Sequence, residues 1–250
     1  VNPDSQNVIV TGGASGIGRA MARHLAEQGS RVWALDIDAA AVEESRQNHG
    51  AQRLEYLCRD CASESTVVET VDQLEAESGG LTVLVNNAAV LKDQALVSKL
   101  GGKIRKHALK DWDATLRNNL TSTFLMAREV AGAMIRGKRR GLIVNISSIS
   151  RNGNPGQSSY AASKAAIDAL TVTWSQELAL YGIRVTAIAP GFVETPMTDR
   201  IPPLFLDQIR QRTPLKRFGT LEEFQQAIQF VLRNDYLNGK ILELDGGLRF

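Results

Sequence analysis

The chain has 250 residues, 43% hydrophobic and 22% charged, an ordinary composition for one domain with a large core. A formal net charge of +2 gives no basis for a nucleic-acid partner. No apolar run nears the roughly 20 residues that cross a bilayer, so no membrane partner is expected. The apolar run Val8-Ile9-Val10 comes so early that no leader peptide is expected, and the expected location is cytoplasmic.

The first strand, expected over 7–11, runs into Thr11-Gly12-Gly13-Ala14-Ser15-Gly16-Ile17-Gly18 and then a helix over 17–28. Glycines let the backbone turn and approach a pyrophosphate, whose charge the helix N-terminus stabilises. The spacing is G-x-x-x-G-x-G rather than G-x-G-x-x-G. Its place between an apolar strand and a helix favours dinucleotide binding over an ordinary turn. A second strand over 31–35 leads to Asp36, placed to hydrogen-bond both ribose hydroxyls of the adenosine half. A 2′-phosphate would meet carboxylate repulsion there, and neither Ser15 nor Ile37 brings a compensating cation. NAD is therefore expected over NADP.

After a helix over 39–48 and a strand over 53–58, Asp60 is a candidate for binding the adenine edge. Cys58-Arg59-Asp60-Cys61 formally matches C-x-x-C. His24, His49 and His107 are scattered and no second cysteine pair exists, so the two thiols read as unremarkable and no metal site is expected. A helix over 63–77 and a strand over 81–85 lead to Asn86-Asn87-Ala88-Ala89. A long, partly basic connection over 90–110 follows, with Gly101-Gly102 inside it. A helix over 111–136 and a strand over 141–147 come next. Asn119-Leu120-Thr121 and Asn145-Ile146-Ser147 match the glycosylation acceptor and are read as fortuitous.

The helix expected over 158–181 carries Tyr160-Ala161-Ala162-Ser163-Lys164, with Tyr160 twelve residues beyond Ser148. Residues i and i+4 share a helical face, so phenol and ammonium project into one small volume. A neighbouring cation favours the phenolate and is expected to lower a pKa that is otherwise near 10. Tyr236-Leu237-Asn238-Gly239-Lys240 repeats the spacing, but Asn238-Gly239 is a turn signal and breaks the helical frame. A strand over 183–189, a proline-rich excursion over 190–219, a helix over 220–232 and a strand over 240–244 complete the chain. Within the excursion a lid over about 192–218 is expected, and its apolar stretch 201–209 suits a partly hydrophobic substrate. Alternating strands and helices, several strands being continuously apolar, predict an α/β, Rossmann-type doubly wound fold. Its seven-stranded sheet should be mostly parallel, with helices on both faces, in one domain over 1–250.

These motifs, in this order, resemble the short-chain dehydrogenase/reductase family over nearly the whole chain. Thr11–Gly18 resembles its cofactor loop and Asn86-Asn87-Ala88-Ala89 its N-N-A-G motif. Asn119, Ser148, Tyr160 and Lys164 match its catalytic tetrad. Pro190-Gly191, with Val193 and Thr195, is similar to its nicotinamide-side segment, and Leu244-Asp245-Gly246-Gly247 to its C-terminal signature. Pro190–Thr198 and Arg217-Phe218-Gly219 are similar to the 3-oxoacyl carrier-protein reductase branch. The resemblance implies a cofactor site built from Gly12, Ser15, Gly16, Ile17, Gly18, Asp36, Ile37, Asp60, Cys61, Asn87, Ala88, Ala89, Tyr160, Lys164, Pro190, Gly191, Val193 and Thr195. It further implies Tyr160 as general acid or base, Ser148 as donor to the substrate oxygen and Lys164 on the nicotinamide ribose. Asn119 is to support a water linking Lys164 to solvent. The chain departs from the pattern in three places. Ala89 replaces a glycine, the Ser148–Tyr160 interval is one residue short (leaving Ser147 as an alternative), and the 90–110 connection is long.

The expected activity is NAD-dependent interconversion of a secondary alcohol and a ketone. The alternative is reduction of 3-oxoacyl groups on a carrier protein or coenzyme A with NADPH or NADH. Lys103-Ile104-Arg105-Lys106 and Arg136-Gly137-Lys138-Arg139-Arg140 would meet acidic or phosphorylated carriers, although such runs are more often solvated charge. A catalytically idle NAD-binding regulator is the third reading. Leu125, Met126, Val130, Met134, Leu170, Trp174 and Leu178 read as core packing on the two long helices. The resemblance implies that those helices also pair copies of the chain into a homo-oligomer, a tetramer or dimer.

Overall fold

Strands that are apolar at every position need cover on both faces, and this sheet has it. In the computed structural model, residues 6–48, 52–195, 198 and 202–249 are described; Pro196 and Ile201 of the expected lid and His49 lie outside them. Seven parallel strands lie side by side: β1 (Asn7–Thr11), β2 (Arg31–Asp36), β3 (Leu54–Cys58), β4 (Val83–Asn86), β7 (Gly141–Ile146), β8 (Ile183–Pro190) and β9 (Ile241–Leu244). Their spatial order is β3-β2-β1-β4-β7-β8-β9, so the chain builds outward from β1 to β3 and then restarts on the other side of β1. The seven-stranded Rossmann-type fold holds, with every pairing in the large sheet parallel.

Side chains alternate across a strand, and β1 shows the division. Val8 and Val10 pack with Met21 and Leu25 of α1 (Gly16–Glu27), Val42 of α2 (Ala39–Gln47), and Phe224 and Ile228 of α8 (Leu221–Arg233). Ile9 faces the other layer, with Val67 and Leu74 of α3 (Glu64–Ser78) and Met126 and Val130 of α5 (Ser122–Arg136). Leu125, Met134 and Trp174 are buried there too, with Leu170 and Leu178 packed against them, which is the core role expected of them. Each such side chain stabilises the fold by roughly 1.5–3 kcal/mol on burial. Among the described residues no helix is long and apolar enough to cross a membrane.

Four expectations need correction. The single helix over 111–136 is α4 (Leu109–Leu116), a π-helical turn (Arg117–Thr121) and α5. A π-turn widens the coil by one residue, which a 3.6-residue pattern does not reveal, and such turns often mark functional positions. The 90–110 connection is not a bare loop, because β5 (Val97–Leu100) and β6 (Lys103–Lys106) form an antiparallel hairpin within it. Gly101 and Gly102 make its two-residue turn with φ of +56° and +78°, which favours glycine at both positions. The proline-rich excursion contains α7 (Pro203–Arg212), whose Pro203 occupies the first turn, where a missing N–H costs nothing. The helix expected over 158–181 ends earlier, as α6 (Ser158–Glu177) followed by a 3₁₀ turn (Ala179–Tyr181). Tyr236 is fully exposed in the non-helical stretch between α8 and β9.

The N-terminus of α8 is closed by a capping box between Thr220 and Glu223, and Arg217 pairs with the same carboxylate at 2.5 Å. Hydrogen bonds from Arg217 and from the Thr220 backbone hold the Glu223 carboxyl down at about 2. Its folded pKa lies below the unfolded value, so its stabilisation is complete above pH 4.5 and is lost as pH falls toward 2. Glu223→Ala is expected to lower Tm by about 2–4 °C at pH 6, as loss of a cap does in a domain of this size. Thermal scans should show the gap from wild type narrowing at pH 3; a constant gap would refute the linkage.

Candidate active site

The chain reverses its building direction between β1 and β4, and a cleft opens there beyond the strand ends, as expected at a switch point. Its floor is the turn after β1. Gly12 has φ +61°, and a Cβ there would lie 2.8 Å from Ala88 Cα. A Cβ on Gly18 would meet the Gly12 carbonyl oxygen at 2.1 Å, so only glycine lets α1 start this close to the turn. Asn87 pins the turn, its amide donating to the carbonyls of Thr11 (3.1 Å) and Gly12 (3.0 Å). Asp36 holds the other side, accepting from the backbone N–H groups of Ala14 and Asp38 at 3.1 Å each.

The cleft measures about 380 Å³, and most of the expected residues line it. At the β1 turn these are Gly12, Ser15, Gly16 and Ile17; near the ends of β2 and β3, Asp36, Ile37, Asp60 and Cys61. Asn87, Ala88 and Ala89 form the middle, with Tyr160, Lys164, Pro190 and Thr195 at the far end. Gly18, Asn119, Ser148, Gly191 and Val193 lie behind this lining. Gly191 allows close packing, since a Cβ there would sit 2.7 Å from Asp245 Cα, and buried Val193 bridges to Gly219. Sequence reasoning missed Arg59 and Asn118, which also line the cleft. Arg59 matters because it brings a cation to the end that holds Asp36. Its signal in the sequence is its place inside Cys58-Arg59-Asp60-Cys61, directly before the candidate Asp60. Both cysteines are free, and burial pushes the Cys61 thiol up to about 12, with Asp60 and Asp36 adding to it. Asp60 is partly engaged by Arg117, at 3.2 Å.

At the far end, Ser148 lies near enough to Tyr160 to pull the phenol pKa down, and the Ser148 oxygen accepts from the Ser150 N–H at 3.1 Å. Ser147 also lines the cleft, with its hydroxyl toward the Lys164 carbonyl at 3.5 Å; of the two serines, Ser148 is the one that acts on the Tyr160 phenol. Lys164 is buried, donates to the Ile146 carbonyl at 2.7 Å, and lies 5.6 Å from the Tyr160 ring centre. The expected lowering of Tyr160 does not occur. Loss of hydration pushes the phenol up to about 12; Ser148 pulls it down and Asp93 pushes it up. The ammonium serves the carbonyl at the end of β7 rather than the phenol, and burial brings Lys164 itself down to about 8. Asn119, fully buried in the π-turn, accepts from Val90 N–H at 2.7 Å and donates to Val90 O at 3.0 Å and Ser163 at 3.3 Å. Its side chain therefore ties the π-turn to the cleft wall.

A cradle from which glycine excludes every side chain, opening on a helix N-terminus, fits a pyrophosphate. Asp36 at the end of β2 fits a ribose, so the residues present suit a dinucleotide. Comparison with known proteins agrees. A family model described as enoyl-(acyl carrier protein) reductase matches residues 12–249. The chain is 38% identical to a 3-oxoacyl-[acyl-carrier-protein] reductase of Thermotoga maritima, over 96% of both chains. It is 35% identical to a (3R)-3-hydroxyacyl-CoA dehydrogenase of Homo sapiens, over 96% of this chain and 94% of that one. A Staphylococcus epidermidis 3-oxoacyl-[acyl-carrier-protein] reductase is 34% identical, over 98% and 99%. The chain belongs to the short-chain dehydrogenase/reductase family, oxidoreductases that act on CH–OH with a nicotinamide cofactor.

Proposed function

We propose that this protein interconverts a ketone and a secondary alcohol with NAD(H), the substrate being a 3-oxoacyl or 3-hydroxyacyl thioester. The observation that carries the reading is the meeting of Tyr160 and a buried Lys164, 5.6 Å from the phenol ring, at the end of the cleft, with Ser148 beside them. A nicotinamide held against Pro190 and Thr195 would supply or accept the hydride. Ser148 holds the substrate oxygen by donating a hydrogen bond, and Tyr160 gives that oxygen a proton in reduction or takes it in oxidation. With its pKa pushed up, the phenol is protonated at neutral pH, which suits an acid serving ketone reduction. Lys164 would hold the nicotinamide ribose and place a positive charge near the reacting oxygen. Asn119 positions the wall that carries Val90.

The acyl thioester is supported by the relatives' names and by the hairpin. Lys99, Lys103, Arg105 and Lys106 on β5 and β6 are solvent-facing, as are Leu96, Val97, Leu100 and Ile104. The hairpin is rooted beside the catalytic helix, with Gln94 bridged to Gln157 and Asp93 accepting from Gln157 at 3.1 Å. Cations interleaved with apolar side chains suit a phosphorylated carrier with an acyl chain. α5 and α6 leave Phe124 and Val172 exposed, apolar positions that a second copy of the chain would cover.

The test is a substrate panel of acyl-CoA thioesters, the same acyl groups on uncharged N-acetylcysteamine, steroids, sugars and cyclic alcohols, each with NADH and NADPH. Thioesters should lead. Lys103→Glu with Lys106→Glu should raise KM for the CoA ester by about tenfold at low salt and leave the uncharged thioester unchanged. Equal effects on both thioesters, or no thioester turnover, would overturn this substrate class.

A further inference from the structure

Arg151 follows Ser148 by one turn, on the 3₁₀ segment Ile149–Asn152, and its side chain is only 10% exposed. All three nitrogens of its guanidinium are engaged. Nε meets Asp168 Oδ2 at 2.6 Å, Nη1 donates to the Ser148 carbonyl at 3.2 Å, and Nη2 meets Glu243 Oε1 at 2.5 Å. Asp168 stands one helical turn beyond Lys164 on the same face of α6, 19% exposed, with its other oxygen buried and no donor in hydrogen-bond geometry. Glu243 on β9 continues to Arg249 at 2.9 Å, and Arg249 to Asp245 at 2.5 Å. Positive and negative charges thus alternate from Lys164 to the C-terminal segment. Nothing in the cofactor cleft requires this line of charges.

We propose that Arg151 and Asp168 form a clamp, anchored on the last strand by Glu243, that keeps the Lys164 ammonium charged and fixes the backbone of Ser148. Both are positioning residues, since they act through Lys164 and Ser148. Burial works against a charged Lys164, and Asp168 is the carboxylate that opposes it. Burial also favours a protonated Asp168, with Glu243 adding to that; Arg151, Ser147 and Lys164 oppose it. Tyr160 on the same helix and Asp93 from the 90–110 segment are the other titratable groups at this end of the cleft. Arg151 suits the post because its planar fork reaches three acceptors at once, whereas lysine would serve one or two.

The inference rests on the reading of Lys164 as an active-site group, and one arm of its test needs no substrate. In protein labelled with ¹³Cε-lysine, the resonance lost in Lys164→Met identifies Lys164, and its titration reports charge directly. Asp168→Asn should move that titration down by about one pH unit. The alkaline limb of the kcat profile should move with it, so turnover falls about tenfold at pH 8.5 and under twofold at pH 6.5. Asp168→Glu should restore the limb, and Arg151→Met should resemble Asp168→Asn, with Arg151→Lys between. A merely structural role would lower kcat equally at every pH and leave the Lys164 titration where it was, which would overturn the clamp. So would a wild-type Lys164 that is neutral at pH 7, a result available even if the variants do not fold. If no substrate turns over, the proposed activity fails while the titration still decides the clamp.

Discussion

Tyr160→Phe is expected to abolish turnover in both directions while cofactor affinity stays nearly unchanged. The substitution keeps the ring that lines the cleft and removes only the phenol oxygen. General acid–base catalysis contributes about 10²–10⁴-fold, and among the described residues no second proton donor takes this position: Lys164 is committed to the Ile146 carbonyl, and Ser148 needs a partner for its own proton. Because the phenol is pushed up to about 12, wild-type oxidation should accelerate as pH rises to about 8, where loss of the Lys164 charge begins to oppose the gain, while reduction is already served by the protonated form at pH 7. Initial rates across pH 6–10 and a binding titration with NADH check both halves. Activity within tenfold of wild type would remove Tyr160 from the chemistry. The same change at exposed Tyr236 should do little.

Cofactor choice is expected to favour NAD(H) over NADP(H) by about 10²-fold in kcat/KM, near 2.7 kcal/mol. Two unit charges about 4 Å apart interact by roughly 4 kcal/mol at an effective dielectric of 20, and a 2′-phosphate would bring nearly two against Asp36. Arg59 lines the same end of the cleft and reduces that repulsion, so the full Coulomb value is not expected. Asp36 also accepts from the Ala14 and Asp38 N–H groups, and alanine there would loosen the turn as well as remove charge. Asp36→Asn is therefore the cleaner variant and should lose most of the preference; adding Ile37→Arg should favour NADP, since guanidinium pairs well with phosphate. Arg59→Ala should sharpen the wild-type preference. Equal use of both cofactors by wild type would refute the reading of Asp36 and favour the NADPH-dependent 3-oxoacyl reductase.

The strand–helix rhythm, the glycine turn, Asp36, Tyr160 and Lys164 were legible because each is a local pattern. Apolar strands, glycines before a helix and an i+4 pair carry their geometry in their spacing. Within that frame the sequence alone also separates the Tyr160 pair, which lies on one helix, from the Tyr236 repeat, since Asn238-Gly239 does not sit inside a helix. Other features depend on which distant segments meet. The π-turn that turns Asn119 onto Val90 depends on a contact between residues 29 apart, and the hairpin on a register that no alternation in 97–106 announces. The pKa of Tyr160 departs from expectation for the same reason. Adjacency to Lys164 is written in the helix, but loss of hydration, and the carbonyl that occupies the ammonium, come from packing against β7. Arg151, Asp168 and Glu243 lie in three separate segments, and only the folded sheet brings their charges within hydrogen-bonding distance, where Coulomb attraction and burial outweigh sequence distance.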